Sequence, residues 1–292
     1  MLLRQAAAGT SMTQARTGVH GAAEIGFARR NGASRLIHLY ERDPLRVLFP
    51  LPEAGEPPQA AIVTTSGALV AGDHINVAVT VGDGAAAHVT AAAAEKIYRS
   101  LGPTTEVRQS LTVGDSASIE FLPPETILFD GARLRRSTVI NLGPNAAFLG
   151  GGIVVCGRRA RGERFTHGLL HETWEVRRGG SLVWGDALHL DGDIAAIIDN
   201  SACFDGAAGF ATLILAPAGE DPQKFVGAAR AVQAIMTAPG LSAGATSVGG
   251  LLVARWLAGD AMRLRRAYAD LACHLRAEAL GLPRRMPRIW HV

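Results

Sequence analysis

Thr80–Ala85 reads TVGDGA, and the same pattern returns 32 residues later as TVGDSA at Thr112–Ala117. A weaker third copy, NLGPNA, occupies Asn141–Ala146 after a further 29 residues. Each copy closes one alternating run (Ile75–Val81, Val107–Val113, Thr138–Leu142) and opens a second short one (Ala87–Ala91, Ser118–Leu122, Ala147–Gly150). Alternation with period two marks a half-buried strand. Gly-Asp suits a tight turn because glycine reaches positive φ without steric cost, so each unit is expected to be a β-hairpin. A fourth unit of the same shape, TWEVRRGGSLVW, lies at Thr173–Trp184. Hairpins of this size cannot bury their own faces and must stack. The expected fold is therefore mainly β, a stacked, quasi-solenoidal set of sheet layers; the alternative is an ordinary β-sandwich with chance similarity in its turns.

Outward from the repeat, Ile25–Leu48 reads as two or three strands, with a turn at Asp43-Pro44, and Ala61–Thr65 starts another. Beyond Leu190 helices enter. Asp191 or Asp193 caps a short one, and Asp221-Pro222 starts a second that runs to about Met236. Ala211–Ala216 and Val248–Leu257 read as strands. Asp260 caps a last helix to about Leu280, which Gly281 ends. The organisation expected is a disordered tail over residues 1–20 and a single β-rich domain over 21–292, with its helical part from about 191.

A 48% apolar chain of 292 residues can bury a large core, and it holds no apolar run long enough to span a bilayer. Net charge is only +3, which does not by itself suggest nucleic acid. Cys156, Cys203 and Cys273 are scattered and odd in number. They form neither a disulfide framework nor a zinc pattern, so a reducing, cytoplasmic setting is expected. No nucleophile motif, phosphate loop or dinucleotide fingerprint occurs.

The densest charge lies in Glu120–Leu170, in two arginine knots at Arg133–Arg136 and Arg158–Arg164. Glu125, Asp130 and Glu163 lie close to them in sequence, and arginine pairs with carboxylates in a bidentate fork. The repeat places the knots on successive β units, where they are expected to stack. His167 and His171 make a weak metal signal without a helix; surface or hydrogen-bonded imidazoles are the plain alternative. Glu125, Asp130, Glu163 and His167 are the candidates for a transient, exchangeable contact with a divalent ion, with no tightly bound cofactor. Trp174 and Trp184 read as core, packed across a hairpin. Arg158, Arg159 and Arg161, with Arg284, Arg285 and Trp290 of the basic tail, are candidate partner contacts, since Trp and Arg favour interface hot spots. A tail that simply covers one end of the stack is the plain alternative.

PPETILFDGARLRR (Pro123–Arg136), GRRARGERFTHG (Gly157–Gly168) and WEVRRGGSLVWGDALHL (Trp174–Leu190) resemble the UreD, or UreH, family of urease accessory proteins. So do Gly67–Asp73, Ala94–Ser100 and the ending Leu282–Trp290. The resemblance implies a mostly β, non-catalytic chaperone that binds apo-urease and the UreF and UreG accessory proteins, in an assembly with two copies of each. It also implies a water-filled passage by which nickel moves toward the urease site. The chain departs from the family pattern at Ala91, Ala92 and Glu95, and at Gly151 and Gly152 where the family tends to carry Trp-Glu. From other classes, two alternatives stand: a β-rich hydrolase using His167 with Asp130 or Glu163, and an arginine-mediated RNA-binding module.

Overall fold

The computed structural model describes residues 18–235 and 239–291. Most of the expected tail, residues 1–17, and Met236 lie outside the described residues. Just before the first strand, the Val19 N–H donates to the Asp73 carboxylate at 2.9 Å.

The first strands are β1 (His20–Arg30), β2 (Ala33–Arg42), β3 (Leu45–Leu48) and β4 (Gln59–Thr64). The repeat region follows as β5 (His74–Val81), β6 (Ala86–Ala91), β7 (Glu95–Ile97), β8 (Thr105–Val113), β9 (Ser118–Phe121), β10 (Thr126–Leu128), β11 (Arg133–Leu142) and β12 (Ala147–Cys156). Then come β13 (Leu169–Arg178), β14 (Ser181–Asp191), α1 (Ile194–Asp199) and β15 (Gly209–Ala216). The chain ends with α2 (Gln223–Ile235), β16 (Leu241–Val248), β17 (Leu251–Ala258) and α3 (Ala261–Leu280). One sheet has the order β14-β13-β11-β8-β5-β1-β2, and the other β16-β17-β15-β12-β9-β6-β4-β3. The fold is mainly β, with stacked sheets in a solenoid-like arrangement, as the repeat implied.

The units themselves differ from the expectation. β5 does not pair with β6; it pairs in parallel with β1 and β8, while β6 pairs in parallel with β4 and β9 in the opposite sheet. TVGDGA and its copies are therefore arches that carry the chain from one sheet to the other. Only the fourth unit is a hairpin, β13 running antiparallel to β14. Two carboxylates link the three arches. Asp83 accepts from the Asp115 N–H (2.8 Å), and Asp115 accepts from the Asn145 N–H and Nδ2 (3.0 and 3.2 Å). At Gly114 glycine is needed for this close approach rather than for positive φ: a Cβ there would lie 2.3 Å from Asp83 Oδ1.

In the first sheet the parallel register lines up Ile25, Val79, Leu111, Ile140 and Val176 as one inner row, each at most 1% exposed. Each such side chain contributes about 1.5–3 kcal/mol of burial. The outer face of the second sheet is covered by α2 and α3, through Phe225, Val226, Leu264, Tyr268, Leu271 and Leu275 against Leu213, Leu252 and Trp256. Asp193 and Asp260 cap α1 and α3 as expected, accepting from Ala196 and Arg263 N–H. Trp174 is core, and Trp184 is partly buried against the same cluster. Among the described residues no helix is long and apolar enough to cross a membrane.

Candidate functional site

Three of the four candidate metal contacts meet on one surface. Asp130 follows β10, and its Oδ1 accepts from the Thr166 N–H (2.7 Å) and hydroxyl (2.8 Å) and lies 3.3 Å from His167 Nδ1. The Asp130 N–H donates to Glu163 Oε1 at 3.2 Å, and Glu163 Oε2 accepts from Arg158, whose guanidinium also covers the Phe129 ring at 4.2 Å. Burial pushes the Asp130 carboxyl up, but the Thr166 bonds outweigh it and hold it below the usual range. The Arg158 bond holds Glu163 low as well. Their bonds tie down the loop from Arg158 to Gly168. Glu125 lies elsewhere, bound to Arg265 at 2.6 Å. Among the described residues no set of three or more His, Cys, Asp or Glu side chains is placed to hold a metal ion.

The two arginine knots do not stack. The first lies on β11 in the seven-stranded sheet, whereas the second is a loop after β12 with a short turn of 3-10 helix at Arg159–Arg161. Arg158 and Arg161 are exposed and Arg159 is half-buried. In the tail, Arg284 is exposed beside His274 (2.9 Å), and Arg285 pairs with Glu53 at 3.1 Å. Trp290 is not a surface anchor. It is 3% exposed, stacks on Tyr268, lies under Arg265 and donates to the Leu122 carbonyl at 3.0 Å. The tail therefore closes one side of the helical layer, because an indole with a buried N–H partner gains more inside than in water.

The interior holds a second constellation that the knots concealed. The inner rows of the first sheet turn polar toward one end. Val77, Gln109, Thr138 and Trp174 form one row, and Ile75, Val107, Arg136 and Glu172 the next. Arg136 and Glu172 are thus cross-strand partners, each 6% exposed, with Nη1–Oε1 at 3.4 Å. Arg136 also donates to Glu95 (2.9 Å) and Thr126 (2.8 Å) on the facing sheet. Burial pushes the Glu172 carboxyl up, against the pull of Arg136 and with the push of Glu95 and Asp186.

This pair stands between two cavities. One, of ≈ 200 Å³, has Arg136, Glu95, Thr126, Gln109 and the Ala91–Ala94 segment in its wall. The other, of ≈ 460 Å³, is walled by Glu172, Trp174, Asp186, Thr212 and Arg255. The departures at Ala91 and Ala92 therefore lie on the first cavity. Gly152 lies beside the second, where a Cβ would meet only the Trp174 ring at 3.6 Å; Gly151 is closed off by the Thr212 carbonyl.

A separate buried network ties the tail to the sheets. Arg276 on α3 is 0% exposed and donates to both Glu120 oxygens (2.5 and 3.1 Å), to Glu56 and to the Pro283 and Arg285 carbonyls. His88 lies 3.3 Å from Glu120 on the other side. Burial alone would push Glu120 up, yet its bonds to His88 and Arg276 bring it below the usual range.

The family model of the UreD urease accessory protein matches residues 19–291. Among curated relatives, the urease accessory protein UreD of Magnetococcus marinus is 44% identical over 277 residues, covering 94% of this chain and 95% of the relative. UreD of a Methylobacterium species is 40% identical over 261 residues, 89% of each chain. UreD of Rhodopseudomonas palustris is 37% identical over 287 residues, 98% of this chain and 97% of the relative. The matched span runs from the start of β1 to the buried tail. This chain belongs to the UreD family, whose members are named as accessories to urease rather than for a reaction of their own.

Proposed function

We propose that the chain is a non-catalytic scaffold of urease maturation, which docks apo-urease with the UreF and UreG accessory proteins and passes nickel transiently through its polar interior. The observation that carries this is the Arg136–Glu172 pair between the two cavities. Burying an ion pair costs desolvation that its attraction barely repays, and an apolar pair of the same volume would cost the fold less. Its presence beside the apolar inner rows argues for a purpose beyond stability. A buried carboxyl pushed toward its neutral form can exchange a proton for a divalent cation, since carboxylate ligands bind metal only when deprotonated.

Nickel is cargo in this scheme, handed along by single carboxylates and water rather than held. Glu172 and Asp186 make the inner contacts. Asp130, Glu163 and His167 serve as surface contacts, and Glu125 acts through Arg265 to fix the tail. The cytoplasmic setting and the two-copy assembly belong to the same proposal.

The test is co-expression with the cognate urease genes. Glu172→Gln and Asp186→Asn should lower nickel per urease, read by mass spectrometry, while leaving co-purification with UreF and apo-urease unchanged. Glu163→Ala should likewise lower activation more than binding. Equal loss of both would assign these residues a structural role, and failure of the wild type to bind either protein would remove the scaffold.

A further inference from the structure

The spacing of His167 and His171 is not the pairing that the fold makes. His167 is taken up by Asp130 and Thr166. His171 on β13 stands directly opposite His189 on β14, the terminal strand of the seven-stranded sheet. The flanking residues Leu170, Glu172 and Leu190 are buried. Successive side chains of a strand point to opposite faces, so both imidazoles lie on the outer face of that sheet. His189 is exposed and His171 half-buried.

The two Nδ1 atoms are 3.3 Å apart. The rings are not stacked: their centroids are 5.3 Å apart and their planes meet at 67°. Two imidazole nitrogens, each about 2.0–2.1 Å from one tetrahedral ion, lie about 3.3 Å from each other, and about 3.0 Å at adjacent octahedral positions. The pair is therefore held at chelating separation, and strand pairing rather than a loop sets that separation. The next outward pair along the ladder, Thr173 opposite Ala187, is small and leaves the approach open. Arg135, the neighbour of His171 on β11, is exposed and works against a cation. Asp191, two residues along β14 on the same face, works for one. Among the described residues no third His, Cys, Asp or Glu completes the set. Water would fill the remaining positions, so an ion held here exchanges readily.

We propose that His171 and His189 form an exchangeable surface site for a divalent cation of borderline softness, Zn²⁺, Ni²⁺ or Cu²⁺, to which imidazole is suited. The site lies outside both cavities and does not depend on an ion path through the interior. The full chain, freed of metal by a chelator, is titrated with Zn²⁺ by calorimetry, and its Cu²⁺ form is studied by electron paramagnetic resonance. Zn²⁺ should bind saturably. His171→Ala and His189→Ala should each weaken it about tenfold or more, the equivalent of 1.4 kcal/mol, and the double variant should lose little beyond either. Wild type with one Cu²⁺ should show coupling to two imidazole nitrogens, a readout that needs no variant to fold. Arg135→Gln should tighten Zn²⁺ binding a few-fold by removing the neighbouring positive charge. His38→Ala, at an exposed histidine bonded to Glu24, should bind as wild type. No saturable binding, a single coupled nitrogen in wild type, loss in only one of the two histidine variants, or an equal loss in His38→Ala would each overturn the proposal.

Discussion

Replacing Arg276 by methionine tests the buried network most directly. Its guanidinium is fully enclosed and serves Glu120, Glu56 and two carbonyls of the tail. Methionine fills much of the same volume but leaves two carboxylates buried without their cation. Breaking a buried pair in this way costs about 3–5 kcal/mol, a large share of the roughly 5–15 kcal/mol that holds a typical domain. Urea unfolding followed by tryptophan fluorescence should show the midpoint falling by about 1 M or more. The Leu282–His291 tail, having lost the donor to Pro283 and Arg285, should become the first site of limited proteolysis. Adding Glu56→Gln and Glu120→Gln to Arg276→Met should restore much of the loss, because no uncompensated charge then remains. A loss below about 1 kcal/mol would refute the argument, and so would a triple variant no better than the single. The pH dependence has a definite sign. Glu120 is held below 4.5 in the folded chain, so its contribution is complete above about pH 4.5 and is lost as pH falls through the folded value. Glu120→Gln should remove that part of the acid limb.

Glu172→Gln should behave oppositely. With the folded carboxyl raised above 4.5 by burial, the ionised group costs stability at high pH, and the cost is relieved as pH falls through the folded value toward 4.5. The variant should therefore be neutral or more stable at pH 8 in thermal melts, with a flatter profile. Gly114→Ala should cost about 1–3 kcal/mol through overpacking against the neighbouring arch, whereas Gly244→Ala, with nothing within 4 Å of its Cβ, should be close to neutral in the same melts. Asp130→Ala should free the Thr166 and His167 donors, speed amide exchange between Arg158 and Gly168, and cost about 1–3 kcal/mol.

Much of the fold was legible because period-two alternation and helix caps are local signals. Ile75–Val81 and Val107–Val113 announced strands, and Asp193, Asp260 and Gly281 marked helix ends. Hairpin and arch, however, share the same local pattern. What separates them is whether the Asp83 carboxylate meets its own unit or the Asp115 N–H of the next one, a contact 32 residues away. β16 escaped because LSAGATSV is small and polar, as an edge strand with one open face permits. β7 and β10 were missed because three residues are too few for a periodic signal.

The site was legible by parity more than by charge. Arg136 falls in step with Leu134, Thr138 and Ile140, the inward positions of β11, and that alternation could have singled it out from Arg133 and Arg135. Counting arginines in a knot hid the one that faces the interior. Its acidic partners, Glu95 and Glu172, lie 41 residues before it and 36 after it, on other strands, and only the stacking register brings them together. Trp290 stays open in the sequence between docking anchor and plug, because the same residue type serves both and burial is decided by the whole chain.

The arches have one more consequence. Each turn of the coil advances the interior by one strand spacing, about 4.8 Å, and the Asp83–Asp115–Asn145 stair fixes that step without slack. The number of coils is therefore a length. Adding or deleting one whole arch would lengthen or shorten the interior by that one increment.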